Sequence, residues 1–234
     1  MKVKVLASSS AGNCYIISDG TTELLLEAGI PFGEIQKGCN FRLTSLAGCL
    51  ITHEHNDHAK AGAELMKRSV DIYTSQGTAD AKKWSGHRLH PVRNGEAFTI
   101  GTFSIMPFDL VHDCAEPLGF VITSLATREK LLYVTDTHYV RYTFEGLTHI
   151  MTECNYDREI LIDHVRTGEV QPFLAKRIME SHMSLDTVLD MLRANDLSRV
   201  QQIYLLHISE GNSNAEAFKE RVQRLTGAEV YVCI

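Results

Sequence analysis

The most constraining feature of the chain is Leu50-Ile51-Thr52-His53-Glu54-His55-Asn56-Asp57-His58. A short apolar run over Leu46–Thr52, which predicts a buried strand, feeds directly into His-x-His-x-Asp-His. In extended backbone side chains alternate, so His53 and His55 point the same way. A turn after them lets Asp57 and His58 face the same spot from another side. Imidazole nitrogens with one carboxylate suit zinc, manganese or iron. Four ligand-type residues in six positions exceed what one ion needs beside a strand end. The spacing therefore points to two ions, with His53 and His55 on one and Asp57 and His58 on the other.

The rest of the chain is compatible with a globular enzyme. Its 234 residues suit one domain. Apolar residues make up 44% and charged ones 22%, which excludes a disordered tail or a collagen-like repeat. The net charge of -6 argues against a nonspecific nucleic-acid coat, which should be basic. No apolar stretch is long enough to predict a membrane span. Met1–Leu6 alternates like a strand and lacks the apolar core of a signal peptide. The six cysteines, Cys14, Cys39, Cys49, Cys114, Cys154 and Cys233, are scattered without a CxxC pair. They read as reduced, mostly packed thiols, and a cytoplasmic location is expected.

Strands are expected at 2–6, 14–18, 22–27, 46–52, 70–74, 97–100, 103–109, 119–123, 130–135, 149–152, 200–206 and 229–234. Helices are expected at 59–68, 78–84, 184–195 and 214–225, with apolar Leu185, Val188, Leu189 and Leu192 on one face of the third. Asn214 is placed to cap the last. Residues 156–180 read as a small helical insertion in a single domain of residues 1–234. Two groups of strands clad by helices make the fold class α/β (α+β).

Taken together, the motif and its order resemble the metallo-β-lactamase-fold hydrolases. Leu24-Leu25-Leu26-Glu27-Ala28-Gly29 is similar to the family's second-strand motif, with Glu27 where Asp is usual. Ser8-Ser9-Ser10-Ala11-Gly12-Asn13 resembles the opening of the small WalJ-like (YycJ-like) branch, which is exonuclease-like. Val111-His112-Asp113 with Glu116-Pro117-Leu118-Gly119, Leu132-Tyr133-Val134-Thr135-Asp136, and Ile203-Tyr204-Leu205-Leu206-His207 are similar to the family's later ligand segments. The resemblance implies a four-layer αββα sandwich and two divalent ions, Zn²⁺ or Mn²⁺. It assigns His53, His55 and His112 to the first ion, Asp57, His58 and His207 to the second, and Asp136 to both.

The same likeness extends to further residues. Glu153-Cys154-Asn155 resembles the branch's Glu-Ser-Asn-His-Asp turn, with Tyr156-Asp157 replacing His-Asp. Ser181-His182-Met183-Ser184 resembles its Gly-His-Leu-Ser. His182 is either a proton donor or a histidine at a helix end. Ser209, Asn212, Asn214 and Asn155 either hold phosphate oxygens or cap local structure. His138 is either substrate-facing or a surface residue, and Lys82, Lys83, Arg88 and Arg93 either rim a nucleic-acid path or form a solvated face.

The implied function is a phosphodiesterase acting on nucleic acid by metal-activated hydroxide, as a 5′-to-3′ DNA exonuclease, with Asp57, Asp136 and His182 as catalytic groups. A cyclic-nucleotide phosphodiesterase would use the same site, as would a lactonase or thioesterase, since one fold hosts many reactions. A non-enzymatic module with a vestigial site is the bland alternative, which the complete set of seven ligand-type residues opposes. The expected partner is a nucleic acid or nucleotide substrate, without a membrane. A homodimer is compatible with the sequence.

Overall fold

The computed structural model describes residues 1–233, so the end of the strand expected at 229–234 lies outside them at Ile234. Contacts divide the chain into two compact units, Met1–Asp109 with Cys114–Glu129, and Leu110–Asp113 with Lys130–Ile234.

The first unit holds β1 (Lys2–Ser9), β2 (Gly12–Ser18), β3 (Glu23–Leu26), α1 (Phe32–Gly38), β4 (Leu46–Leu50), α2 (Asn56–Ala59), α3 (Gly62–Lys67), β5 (Ile72–Thr74), α4 (Gln76–Ala81), β6 (Leu89–Pro91), β7 (Phe98–Ile100), β8 (Phe103–Asp109) and β9 (Leu118–Ser124). Strands β1 to β6 pair in sequence order. β1, β2 and β3 run antiparallel, and β3 through β6 run parallel. The change of direction reflects the connections. Short turns such as Asp19-Gly20 reverse the chain, whereas helical crossovers return it parallel. Cys14, Ile16, Leu25, Cys49, Ile51, Leu65 and Ile72 pack one apolar cluster of this unit. β7, β8 and β9 form an antiparallel ladder in which Phe103, Ile105 and Phe108 are buried.

The second unit holds β10 (Lys130–Val134), β11 (His149–Glu153), α5 (Arg158–Thr167), α6 (Pro172–Ser181), α7 (Leu185–Ala194), β12 (Gln202–Leu206), α8 (Ala215–Thr226) and β13 (Glu229–Val232). Its four strands pair in parallel and in sequence order. β10 and β11 are buried almost throughout, as parallel strands covered on both faces must be. The expected face of α7 is the one buried. Ser184 Oγ accepts from Thr187 N at its start, a cap of about 1 kcal/mol. Residues 156–180 form the α5–α6 pair, around Tyr156, Leu161 and Ala175.

One expectation changes, and two short elements are additional. The single helix expected at 59–68 is two short helices, α2 and α3, broken at Lys60-Ala61, where Ala61 N donates to Ala28 O instead of continuing one ladder. α1 is not expected from the sequence, because its seven residues bury only Ile35 and so carry little helical periodicity. β6 is three residues long, too short for an alternation signal. Five of the six cysteines are buried and Cys114 is half-buried. No helix among the described residues is long and apolar enough to cross a membrane.

One polar buckle ties parts of the first unit that are remote in sequence. Asp19 accepts hydrogen bonds from Thr102 Oγ1 at 2.6 Å, Ser124 Oγ at 2.7 Å and the backbone N–H groups of Thr21 and Thr22. Burial pushes this carboxyl up, but the donors outweigh it and bring its pKa from 3.8 down to about 2. The folded pKa lies below the unfolded one, so the stabilisation is full above pH 3.8 and disappears as the pH falls through about 2. Asp19→Asn should lower stability near neutral pH by about 1 kcal/mol, after allowance for solvent screening. Urea unfolding at neutral pH and at the acid limit checks this, because the difference between the two proteins should vanish in acid.

Candidate metal centre

In the first unit the candidate residues are placed by two adjacent parallel strands that end together. The register Leu26↔Leu50 brings Glu27 beside the exit of β4. Ile51, Thr52 and His53 then leave the sheet in buried, extended chain, and α2 turns Asp57 and His58 back toward it. The His53 ring centroid lies 4.7 Å from that of His55 and 4.2 Å from that of His58, and Asp57 Oδ2 is 3.3 Å from His58 Nε2. His53 Nδ1 sits 2.9 Å from Thr52 Oγ1, and Asn13 Nδ2 is 3.2 Å from His58 Nε2. These contacts fix ring orientation before any ligand arrives.

Glu27 supports this loop from beneath. Its carboxylate accepts from Thr52 N at 3.3 Å and stands 3.7 Å from His58 Nδ1, fully buried. The longer arm of Glu, compared with the Asp usual in the family, therefore still reaches the loop. Glu27 has φ +63°, a left-handed backbone that is costly for a residue with a Cβ and is held here by Glu27 N→Leu50 O and Ala28 N→His58 O. Gly29 admits the loop that carries Asp57. A Cβ built there would lie 1.6 Å from Asp57 O.

In the second unit the same device recurs on β10, β11 and β12. The registers Val134↔Thr152 and Glu153↔Leu206 set Asp136, Glu153 and His207 at the C-terminal ends of three neighbouring strands. Asp136 (φ +30°) and His207 (φ +50°) also adopt positive φ, and His207 Nδ1 is 3.1 Å from Asp136 Oδ1. His112 Nε2 lies 3.8 Å from Asp136 Oδ2, while its Nδ1 is 3.0 Å from Ser181 O. Burial pushes the His112 imidazole down, towards the neutral form that binds metal, against the pull of Asp136. Asp136, Glu153, His182 and His207 each offer a ligand atom within 4.8 Å of one another.

Glu153 is the residue that the sequence reading leaves out of the site. Fully buried, it accepts from Thr137 N at 2.6 Å and Met183 N at 3.3 Å, and its Oε2 lies 3.0 Å from His182 Nδ1. Burial disfavours charge on both partners, but their mutual attraction prevails. It holds Glu153 below the usual carboxylate range and His182 above the usual imidazole range. The one sequence signal is an acid closing a strand of buried residues, His149-Ile150-Met151-Thr152-Glu153. Glu153, Asp136 and His207 share the strand-end position, and Asp136 and His207 add positive φ.

The remaining candidates divide. Asn155 Nδ2 donates to His207 O at 2.9 Å, and Asn214 Oδ1 accepts from Ala217 N at 3.0 Å, capping α8. Ser209 Oγ accepts from Asn212 N at 3.2 Å, while Asn212 Oδ1 is 3.0 Å from His164 Nδ1. His138 is exposed, with Nδ1 2.7 Å from Met179 O. In the first unit Arg88 is tied to Asp71 at 3.2 Å and Arg93 lies 3.9 Å from Glu96, while Lys82 donates to Asn56 Oδ1 at 3.1 Å. Arg88 and Arg93 thus face acids, whereas Lys82 meets a neutral amide.

Comparison with known proteins places the chain. Residues 35–208 match the family model described as the β-lactamase superfamily domain. The protein belongs to the β-lactamase superfamily and is a hydrolase of the metallo-β-lactamase fold. It is 28% identical to exodeoxyribonuclease WalJ of Streptococcus pneumoniae, with 99% of this chain and 90% of that protein covered. It is 26% identical to exodeoxyribonuclease YycJ of Bacillus anthracis, covering 94% and 87%. Among solved structures it superposes on the metallo-β-lactamase fold protein YhfI of Bacillus subtilis with a TM-score of 0.73 at 14% identity, covering 99% and 95%.

The donors fit divalent transition-metal ions, since each unit brings imidazole and carboxylate groups together. Two outcomes check the local arguments. Gly29→Ala should cost about 3 kcal/mol or more, because Asp57 backbone cannot yield to a Cβ, whereas Gly33→Ala, with open space around it, should not destabilise. Urea unfolding of the two variants separates them. In the metal-free protein Glu153→Gln should lower the titration midpoint of His182, followed by NMR; an unmoved midpoint would show that Glu153 does not hold the imidazolium.

Proposed function

We propose that the protein is a dinuclear metal-dependent phosphodiesterase that hydrolyses nucleic acid, acting as a 5′-to-3′ DNA exonuclease. The observation that carries this reading is the likeness to exodeoxyribonuclease WalJ over 99% of the chain. His53, His55 and His112 would hold one Zn²⁺ or Mn²⁺, Asp57, His58 and His207 the other, with Asp136 shared. Bound ions supply Lewis acidity there, lowering the pKa of water and offsetting charge on a phosphoryl group.

The chain's own groups do the rest. Asp57 and Asp136 accept hydrogen bonds from the attacking water and orient it. His182 is the proton donor. Its Nδ1 is engaged by Glu153, which leaves Nε2 to protonate the 3′-oxygen as the phosphorus–oxygen bond breaks. Glu153 fixes the ring and favours the protonated form, much as a buried carboxylate orients a catalytic imidazole elsewhere. Ser209 and Asn212, on the loop after His207, are the proposed contacts to phosphate oxygens, with Asn155 supporting His207 and Asn214 ordering the helix behind them.

A second reading, a cyclic-nucleotide phosphodiesterase, is favoured by the net charge of -6 and by the acids that neutralise Arg88 and Arg93. One experiment separates the two. Metal-loaded protein is incubated with 5′-labelled single-stranded DNA, and separately with a cyclic nucleoside monophosphate. The wild type should release 5′-mononucleotides, and Asp57→Ala should lose about a hundredfold or more in rate together with bound metal. Ring opening of the cyclic substrate without DNA cleavage would transfer the assignment to the second reading.

A further inference from the structure

The loop after Asp136 is built unlike a surface turn. Residues 137–148 contain no helix or strand, yet their backbone is tied down at both ends. Near Asp136, Thr137 N donates to Glu153 Oε1, Thr137 Oγ1 lies 2.9 Å from Tyr139 O, and His138 N donates to Val111 O. At the far end Phe144 N donates to Asn195 Oδ1 at 2.6 Å, and Lys130 Nζ donates to Glu145 O at 2.9 Å. Between these anchors the chain presents large aromatic rings to water. Tyr139 is 40% exposed and Tyr142 38%. Arg141 lies against Tyr139, its guanidinium carbon 5.7 Å from the ring centroid and its Nε 3.3 Å from the hydroxyl. Two more cations approach the loop at Gly146, where a Cβ would stand 3.9 Å from both Arg199 Nη1 and Lys130 Nζ.

Tyrosine joins an apolar face to a polar tip, which suits it to a surface that a partner covers on one side. We infer that Tyr139, Arg141 and Tyr142 form a stacking platform for single-stranded nucleic acid beside Asp136, with bases on the phenol faces and Arg141 at the backbone phosphates. Proteins that hold single strands without reading sequence combine these two elements, π-faces for the bases and cations along the phosphates. Tight backbone anchoring limits the ordering cost when a strand arrives. A mononucleotide would occupy one ring at most, so two exposed phenols on one loop fit a polymer rather than a cyclic monophosphate. The inference rests on the nucleic-acid reading proposed above and specifies how the strand is held.

The test uses metal-loaded protein and a short oligothymidylate with phosphorothioate linkages, monitored by fluorescence anisotropy. Tyr139→Leu and Tyr142→Leu should each weaken binding about tenfold, Tyr139→Phe and Tyr142→Phe should restore it, and Phe173→Ala, an exposed aromatic on α6, should have no effect. Arg141→Gln should weaken binding and flatten its salt dependence. Stacking is read directly in Tyr142→Trp, whose indole fluorescence should be quenched by the oligonucleotide. Unchanged binding in both leucine variants, or an unquenched indole in a protein that binds the strand, would overturn the platform. If the wild type binds and stacks the strand but cleaves no DNA, the platform stands and the exonuclease assignment fails. If it cleaves DNA while the leucine variants bind normally, the exonuclease assignment stands and the platform fails.

Discussion

Parallel pairing is the constraint on which the candidate site depends. Strands that run side by side in the same direction end side by side, and the segments leaving them emerge at one edge. In the first unit this places Glu27 next to Thr52-His53, and in the second it places Asp136, Glu153 and His207 on three successive strand ends. Backbone hydrogen bonds between the strands thus bring together side chains that are far apart in sequence. Positive φ at Glu27, Asp136 and His207 marks the places where the chain turns sharply off the sheet. Such strain persists only where surrounding structure over-determines it.

Buried charge is handled alike in both units. Glu27 and Glu153 are fully buried carboxylates, each resting on backbone N–H donors and facing a histidine. A carboxylate removed from water is costly unless hydrogen-bonded and paired. These two meet that requirement, so the desolvation of the acid is offset by donors that also hold the loop. Replacing either acid by an apolar residue would take a partner from the facing imidazole and from the N–H donors. The two glutamates therefore connect stability to ring orientation, which is how a metal or proton-transfer site stays in place before substrate binds.

The loop after Asp136 extends the same logic outward. Its backbone is bonded to Glu153, Val111 and Asn195, and its rings are left exposed. In the first unit Arg88 and Arg93 face acids. Net charge alone would have pointed away from nucleic acid. Local placement of aromatic rings and cations carries more information than the sum of charges.

The sequence by itself determined the ligand-rich segments and most of the elements that carry them. His53-x-His55-x-Asp57-His58 behind an apolar strand is a local pattern, and so are the apolar face of α7 and the cap at Asn214. Each depends on residues within a few positions of one another, which composition and spacing report directly. Only the tertiary structure decided what Glu153 does. Its partners Thr137, His182 and Met183 are distant in sequence and meet it through strand register and the turn between α6 and α7. The same holds for the break between α2 and α3, which exists because Ala28 O takes the N–H of Ala61. Long-range contacts leave no period in the sequence, so the bracing of the site became visible only once the strands were paired.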